Sequence, residues 1–212
     1  MLILASGSPR RAKILRDLGV EFEVVKSDAE EVAYPSDPER TVLEYALSKG
    51  ACIQPSHLLT LSPSHPLTIL SADTIVWFDN KIYGKPKDLE EAKEFLRTLS
   101  GKTHVVFTGV ALRCLTDQSL ASRSAYNEAE QLLYCERPAS TLTAVVKSEV
   151  KFRELSEAMI DEYVARVRPT DRAGAYDIDE SGDLIVESYS GSYENIMGLP
   201  VEPLREWGLV NG

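Results

Sequence analysis

The sequence predicts a mixed α/β fold, and three observations carry that prediction. Short apolar segments of β character alternate with segments of helical periodicity. The early strands are separated by helices, as crossover connections require, while two later strands are separated only by Asp79-Asn80, a two-residue hairpin turn. Crossovers and hairpins in one chain imply a sheet with both parallel and antiparallel neighbours.

Met1 to Ala5 carries no charged side chain and suits a buried strand; Ser8 then reads as an N-cap and Pro9 as the first residue of a helix running through Leu18. Phe22-Glu23-Val24-Val25 reads as a short strand. Pro38 to Ile53 reads as a helix with Val42, Tyr45 and Ala46 on one side. The segment His57 to Pro66, rich in Ser, Pro and Leu, reads as a surface insertion. Leu67 to Phe78 is a long apolar strand, expected to be interrupted at Ser71-Ala72-Asp73-Thr74 and turned back at Asp79-Asn80 into Lys81-Ile82-Tyr83. Asp88 to Leu99 has the caps and periodicity of an amphipathic helix, ended by Ser100-Gly101. Val105 to Leu115 and Leu142 to Phe152 are β-rich and are expected to pair across the polar connection Thr116 to Thr141, an excursion or flexible loop. Ser156 to Val167 is a further capped helix. From Asp171 glycines break the chain at 174, 182, 191 and 198, and Pro200 to Trp207 offers a last short helix.

Composition excludes several classes of function. A chain of 212 residues, 43% apolar and 26% charged, can form one large or two small globular domains. No window approaches the roughly 18 apolar residues of a membrane span, and the apolar N-terminus is too short for a signal peptide, so a soluble, cytoplasmic protein with no membrane partner is expected. The net charge of −10 argues against binding extended nucleic acid, though not against a local pocket of Arg and Lys. Cys52, Cys114 and Cys135 are odd in number and lack CxxC spacing, which points to reduced thiols and away from a disulfide framework or structural zinc.

Chemistry concentrates at strand ends. Ser6-Gly7-Ser8-Pro9-Arg10-Arg11 joins an apolar strand to a helix start, where main-chain amides, the positive end of the helix dipole and two guanidinium groups suit a phosphate. An ordinary capped helix with two solvated arginines is the other reading of the same pattern. Asp73 is a carboxylate embedded in an apolar strand and needs a partner: a divalent ion, a lysine, or a water to activate. A structural Asp capping its own turn through Thr74 stays open beside these. Glu30 and Glu31 are candidates to join Asp73 at a metal, or a solvated acidic pair. Lys85 stands between Gly84 and Pro86, so it either points at a phosphate or ends a hairpin in water. Lys49, late in its helix, is explained by the dipole alone. Ser100-Gly101-Lys102-Thr103-His104 lacks the full GxxxxGK[ST] pattern, which rejects a Walker loop, and His104 reads as a hydrogen-bonded structural imidazole.

In their order along the chain these pieces resemble one family. Ser6-Gly7-Ser8-Pro9-Arg10-Arg11, Glu31, Lys49, Ala72-Asp73-Thr74, Lys85-Pro86, Ser100-Gly101, Thr108-Gly109, Gly174-Ala175-Tyr176 and Gly191-Ser192-Tyr193 through Gly198-Leu199-Pro200 are similar to the motifs of the Maf family of nucleoside triphosphate pyrophosphatases. The resemblance implies a single domain over 1–212 with insertions near 55–66 and 116–141. It also implies a mixed twisted sheet flanked by helices in two lobes about a central cleft, akin to inosine triphosphate pyrophosphatases, and a homodimer in many members.

Carried over residue by residue, the resemblance makes Asp73 the proton acceptor for the attacking water. It places Asp73 and Glu31 at a divalent cation, Mg²⁺ or Mn²⁺, and gives Ser8, Arg11, Lys49 and Lys85 to the phosphates. Arg10 and Thr74 match the branch acting on dTTP and UTP. A third specificity position, normally Gln in that branch, is Asp179 here, and a carboxylate offers no amide N–H to a pyrimidine carbonyl. The expected products are a nucleoside monophosphate and pyrophosphate. The competing classes are a phosphate- or nucleotide-sensing binding protein acting in cell division, as the family's older label of septum formation inhibitor suggests, and a phosphomonoesterase.

Overall fold

A computed structural model describes residues 1–27, 29, 34–53, 67–115 and 140–210. In chain order the elements are β1 (Leu2–Leu4), α1 (Pro9–Asp17), β2 (Phe22–Val24), α2 (Pro38–Ala51), β3 (Leu67–Phe78), β4 (Lys81–Tyr83), α3 (Leu89–Leu99), β5 (Thr103–Leu115), β6 (Ser140–Phe152), α4 (Glu157–Val167), β7 (Val186–Ser190), α5 (Tyr193–Met197) and α6 (Glu202–Glu206), with short 3-10 turns between α4 and β7. The strands form one mixed sheet in the order β2-β1-β3-β5-β6-β7, with β4 paired to β3. β1 runs parallel to β2 and β3; the remaining pairs are antiparallel. The expected mixed α/β architecture is thus present. The expected insertion at 55–66 and residues 116–139 of the expected loop lie outside the described residues, while Ser140 and Thr141, assigned to that loop from sequence, begin β6.

The hairpin follows from backbone chemistry. Asp79 and Asn80 have φ of 49° and 57°, the left-handed pair of a type I′ turn, and such a turn matches the twist of the strands it joins. β3, in contrast, is not interrupted. Ser71 through Thr74 pair in register with Ala111 through Thr108 of β5. Polar residues there do not break the strand because each has a partner on a neighbouring element: the Ser71 hydroxyl donates to the Ala46 carbonyl of α2 at 2.6 Å, and Asp73 and Thr74 are engaged as described below.

Helix α2 lies unusually close to the sheet. A Cβ on Gly109 of β5 would fall 2.3 Å from the Val42 carbonyl oxygen, and one on Gly50 would fall 2.9 Å from the Ser71 hydroxyl. Glycine at these two positions lets helix and strand backbones touch, which brings the last turn of α2, with Lys49, onto the middle of β3. Two apolar cores flank the site. One joins Leu4, Leu15, Leu70, Met197 and Leu204; the other joins Leu96, Leu99, Phe152, Tyr163 and Tyr176. Met197 of the first and Tyr176 of the second both line a cleft between them.

Two elements escaped the sequence pattern. β7 buries only Val186 of its five residues, so it has no alternation to detect. Helix α5 is five residues long, capped by the Ser192 hydroxyl at the Asn195 amide and closed by Gly198 at φ 108°. That glycine reads in the sequence only as a break.

Candidate active site

The cleft has a volume of about 360 Å³ and opens where the loop after β1, the start of α1, the middle of β3 and the segment after α4 converge. At its floor Asp73 is 7% exposed, and the Lys49 ammonium donates to its Oδ1. The sequence offered dipole stabilisation as a sufficient account of Lys49. The structure instead uses it as the partner that a carboxylate in an apolar strand requires.

Arg11 is buried and fixed from three sides. Its Nε donates to the Gly198 carbonyl at 2.8 Å, Nη1 to the Ser6 hydroxyl at 3.0 Å and Nη2 to the Thr74 hydroxyl at 3.2 Å. The chain of contacts continues from Thr74 to the Thr108 hydroxyl at 3.0 Å and from Thr108 to the Asn195 carbonyl at 3.1 Å. Thr74, expected at the base, thus lines the cleft as a link between Arg11 and β5. Ser8 has the extended backbone of an N-cap but makes no side-chain cap bond. Its amide donates instead to the Ser6 hydroxyl at 3.2 Å, so this amide, expected to face an anion, is satisfied within the loop.

The residue that sequence reasoning passed over is Asp177. It lines the cleft with its side chain only 4% exposed, and Oδ2 accepts from Arg10 Nη1 at 3.3 Å and from Arg172 Nε at 2.9 Å. Oδ1 accepts the amides of Asp179 at 2.9 Å and Glu180 at 3.3 Å. Arg172 is shared further with Asp171 and with Glu180, the latter at 2.7 Å. An aspartate two residues before the position under scrutiny, able to cap its own turn, was the available signal.

Lys26 was also missed. It is the first cation beyond the C-terminal end of β2, the edge where parallel strands gather ligands, and a Cβ on Gly7 would sit 3.5 Å from the Lys26 stem. Lys26 and Lys85 both line the cleft, and neither ammonium has an ion pair or hydrogen bond among the described residues. Arg10, Arg11 and Lys49, by contrast, are all engaged by the protein.

Asp179 stands outside this constellation. It is not among the residues lining the cleft; its Oδ2 lies 3.6 Å from Lys13 Nζ and its Oδ1 accepts from Tyr193 OH at 3.4 Å. Burial and the nearby Asp179 charge push the Tyr193 phenol up to about 12. Glu31 lies outside the described residues. Among the described residues no group of three or more His, Cys, Asp and Glu side chains is arranged to hold a metal. His104 is a structural imidazole: its Nε2 is 2.9 Å from Tyr176 OH, its ring meets Phe152 edge-on, and burial pushes its pKa down to about 3. No helix among the described residues is long and apolar enough to cross a membrane.

A buried aspartate–lysine pair beneath a cation-lined cleft, with this order of motifs, has a counterpart among known families. The profile described as Maf-like protein matches residues 1–207. The chain belongs to the Maf family. Over 204 residues it is 41% identical to the dTTP/UTP pyrophosphatase of Bacillus cytotoxicus, covering 95% of this chain and 91% of that one. It is 40% identical over 205 residues to the dTTP/UTP pyrophosphatase of Bacillus mycoides and 38% identical over 205 residues to that of Bacillus anthracis, in both cases covering 96% of this chain and 91% of the relative. Among solved structures, the Ham1 protein of Staphylococcus aureus aligns over 72% of this chain and 70% of its own, at 13% identity and a TM-score of 0.36, a likeness too slight to carry an argument. In Maf terms, Asp73, Lys49, Arg10, Arg11, Thr74, Ser8 and Lys85 meet at one cleft, and Asp179 is set apart from it.

Proposed function

We propose that this Maf chain is a nucleoside triphosphate pyrophosphatase that hydrolyses dTTP and UTP to the monophosphate and pyrophosphate. The observation that carries the reading is the Asp73–Lys49 pair at the floor of a cleft whose remaining cations include two without a protein partner among the described residues. The family relatives, named dTTP/UTP pyrophosphatases, supply the substrate class.

Lys49 holds one oxygen of Asp73, which orients the carboxylate to take a proton from a water. That water attacks the α-phosphorus, the bond from the α-phosphorus to the α,β-bridging oxygen breaks, and pyrophosphate leaves as one unit while the proton rests on the Asp73 carboxylate. Lys85 and Lys26 bind phosphate oxygens, and Arg11, fixed at the Ser6–Ser8 loop, keeps a permanent positive charge beside them. The Ser8 hydroxyl, not used as a cap, serves as a phosphate donor.

The donor chemistry suits a hard divalent cation, because one or two carboxylates together with substrate phosphates suffice for Mg²⁺. Asp73, with Glu31, would hold Mg²⁺ or Mn²⁺, which neutralises the triphosphate and polarises the phosphorus. A cytoplasmic setting, expected from the apolar patterning of the sequence, and a homodimer, implied by the family resemblance, belong to the same reading.

The test is a panel of nucleoside triphosphates with Mg²⁺ or Mn²⁺, with pyrophosphate and orthophosphate assayed separately. Pyrophosphate from dTTP and UTP supports the reading. Orthophosphate as the first product indicates a phosphomonoesterase, and tight binding without turnover indicates a nucleotide-sensing protein.

A further inference from the structure

We propose that Asp177, its carboxylate saturated with the help of Arg172, presents Arg10 to the base as a donor and offers no free acceptor of its own, and so sets a preference for bases that present a carbonyl over bases that present an exocyclic amine. This deepens the pyrophosphatase reading and rests on it, with Arg10 at the base.

A carboxylate on a cleft wall ordinarily attracts N–H donors, and the amine of cytosine or adenine is one. Asp177 cannot act that way. A carboxylate has about four acceptor positions, and here two backbone amides fill Oδ1 while two guanidinium groups fill Oδ2. The residue cannot swing away to free one, because Tyr163 OH accepts from its amide at 2.8 Å and donates to its carbonyl at 3.2 Å, pinning the main chain on both sides. Tyr163 itself is fully buried.

Arg10 is the complement of this saturated carboxylate. Its Nη1 contact with Asp177 is its one hydrogen bond or ion pair among the described residues, which leaves most of the five guanidinium N–H donors for the cleft. Uracil and thymine place a carbonyl where cytosine places an amine. The first accepts from Arg10; the second sets donor against donor, with no acceptor on Asp177 to take it. Asp177 is therefore a positioning residue for Arg10, and Arg172 keeps its second Oδ2 position closed.

The experiment measures kcat and KM for UTP, CTP and ribose 5-triphosphate, which has no base, on the full chain and its Asp177→Asn and Arg172→Gln variants. A neutral amide in place of the Asp177 carboxylate cannot hold two guanidinium groups, so D177N is expected to lower the UTP-to-CTP ratio of kcat/KM about tenfold, the worth of one charge-assisted hydrogen bond, through a higher KM for UTP. R172Q opens an acceptor on Asp177 and is expected to lower the same ratio several-fold through a lower KM for CTP. Ribose 5-triphosphate should not distinguish the proteins. An unchanged ratio in both variants, or an equal loss on all three substrates, overturns the proposal. If D177N does not fold, R172Q decides alone. Failure of the unmodified chain to release pyrophosphate from any nucleotide overturns the pyrophosphatase reading instead; calorimetric binding of UMP against CMP to the same three proteins then tests the Asp177 role by itself.

Discussion

The cleft carries two kinds of charge, and they differ in what the fold does with them. At Asp177 the acceptor positions of the carboxylate are matched within the protein: two arginines and two amides meet its oxygens and a tyrosine hydroxyl holds its main chain. Lys26 and Lys85, on the same cleft, meet nothing among the described residues. Matched charges hold shape and orientation at a desolvation cost that the partners offset. Unmatched cations remain in water until an anion arrives, and they are where a polyphosphate gains most. Counting Arg and Lys in the sequence cannot separate these two kinds, since both look like a basic residue near a strand end.

The largest effect expected is at the floor. Asp73→Asn preserves shape and removes the proton acceptor, so turnover should fall by about a hundredfold or more with the circular-dichroism spectrum unchanged; near-normal turnover would remove Asp73 from the reaction. Next come the unmatched cations. Lys85→Ala and Lys26→Ala should each reduce kcat/KM by roughly tenfold on every nucleotide alike, with little change in melting temperature because neither ammonium has a structural partner to lose among the described residues. A base-selective effect from either would dissolve the distinction between the two kinds of charge.

His104, buried behind the cleft against Tyr176, offers a test through pH. Its folded pKa, about 3, lies below its ordinary 6.5, so between those values the unfolded chain binds a proton that the native protein does not. Stability is therefore full well above pH 6.5 and is lost as pH falls toward 3, by about 1 kcal/mol between pH 6.5 and about 5.5. Urea titrations at successive pH values should show this loss in the natural chain and not in His104→Gln. The smallest effect is expected at Asp179. With its carboxylate shared between Lys13 and Tyr193 outside the cleft, Asp179→Gln should leave the ranking of dTTP, UTP and CTP within about twofold and alter stability little. A larger shift in ranking would bring this residue back to the base.

The order of elements through α4 was legible because each has a local cause: the apolar run of β1, the Ser8-Pro9 start of α1, the Asp79-Asn80 turn and the Asp88 cap of α3, whose carboxylate accepts the Glu91 amide at 2.8 Å. The continuity of β3 through Ser71 and Asp73 was not, because what keeps those residues in a strand is a carbonyl and an ammonium on α2, some 25 residues earlier. Motif order located Asp73, Arg11 and Lys85 at one cleft. It did not reveal that Lys49 faces Asp73 or that Asp177 binds Arg10, since both are pairings between elements distant in sequence. β7 and α5 were hidden for a simpler reason: β7 buries one residue of five and α5 lies between glycines that read as breaks, so neither shows a periodic apolar face.

The contact from Arg11 to the Gly198 carbonyl spans 187 positions. Thr74 and Thr108 stand between these ends, and Asn195 receives the last hydrogen bond. During synthesis, then, the anion loop is made well before the turn after α5, and its arginine, already within reach of Ser6 and Thr74, gains its third anchor only when that turn has been made. Closure of so long a loop comes late in folding. A chain stopped short of Gly198 would carry Asp73, Lys49 and every cation of the cleft without the backbone oxygen that Arg11 Nε requires, so competence at this site reports that the segment through Gly198 has been made and docked.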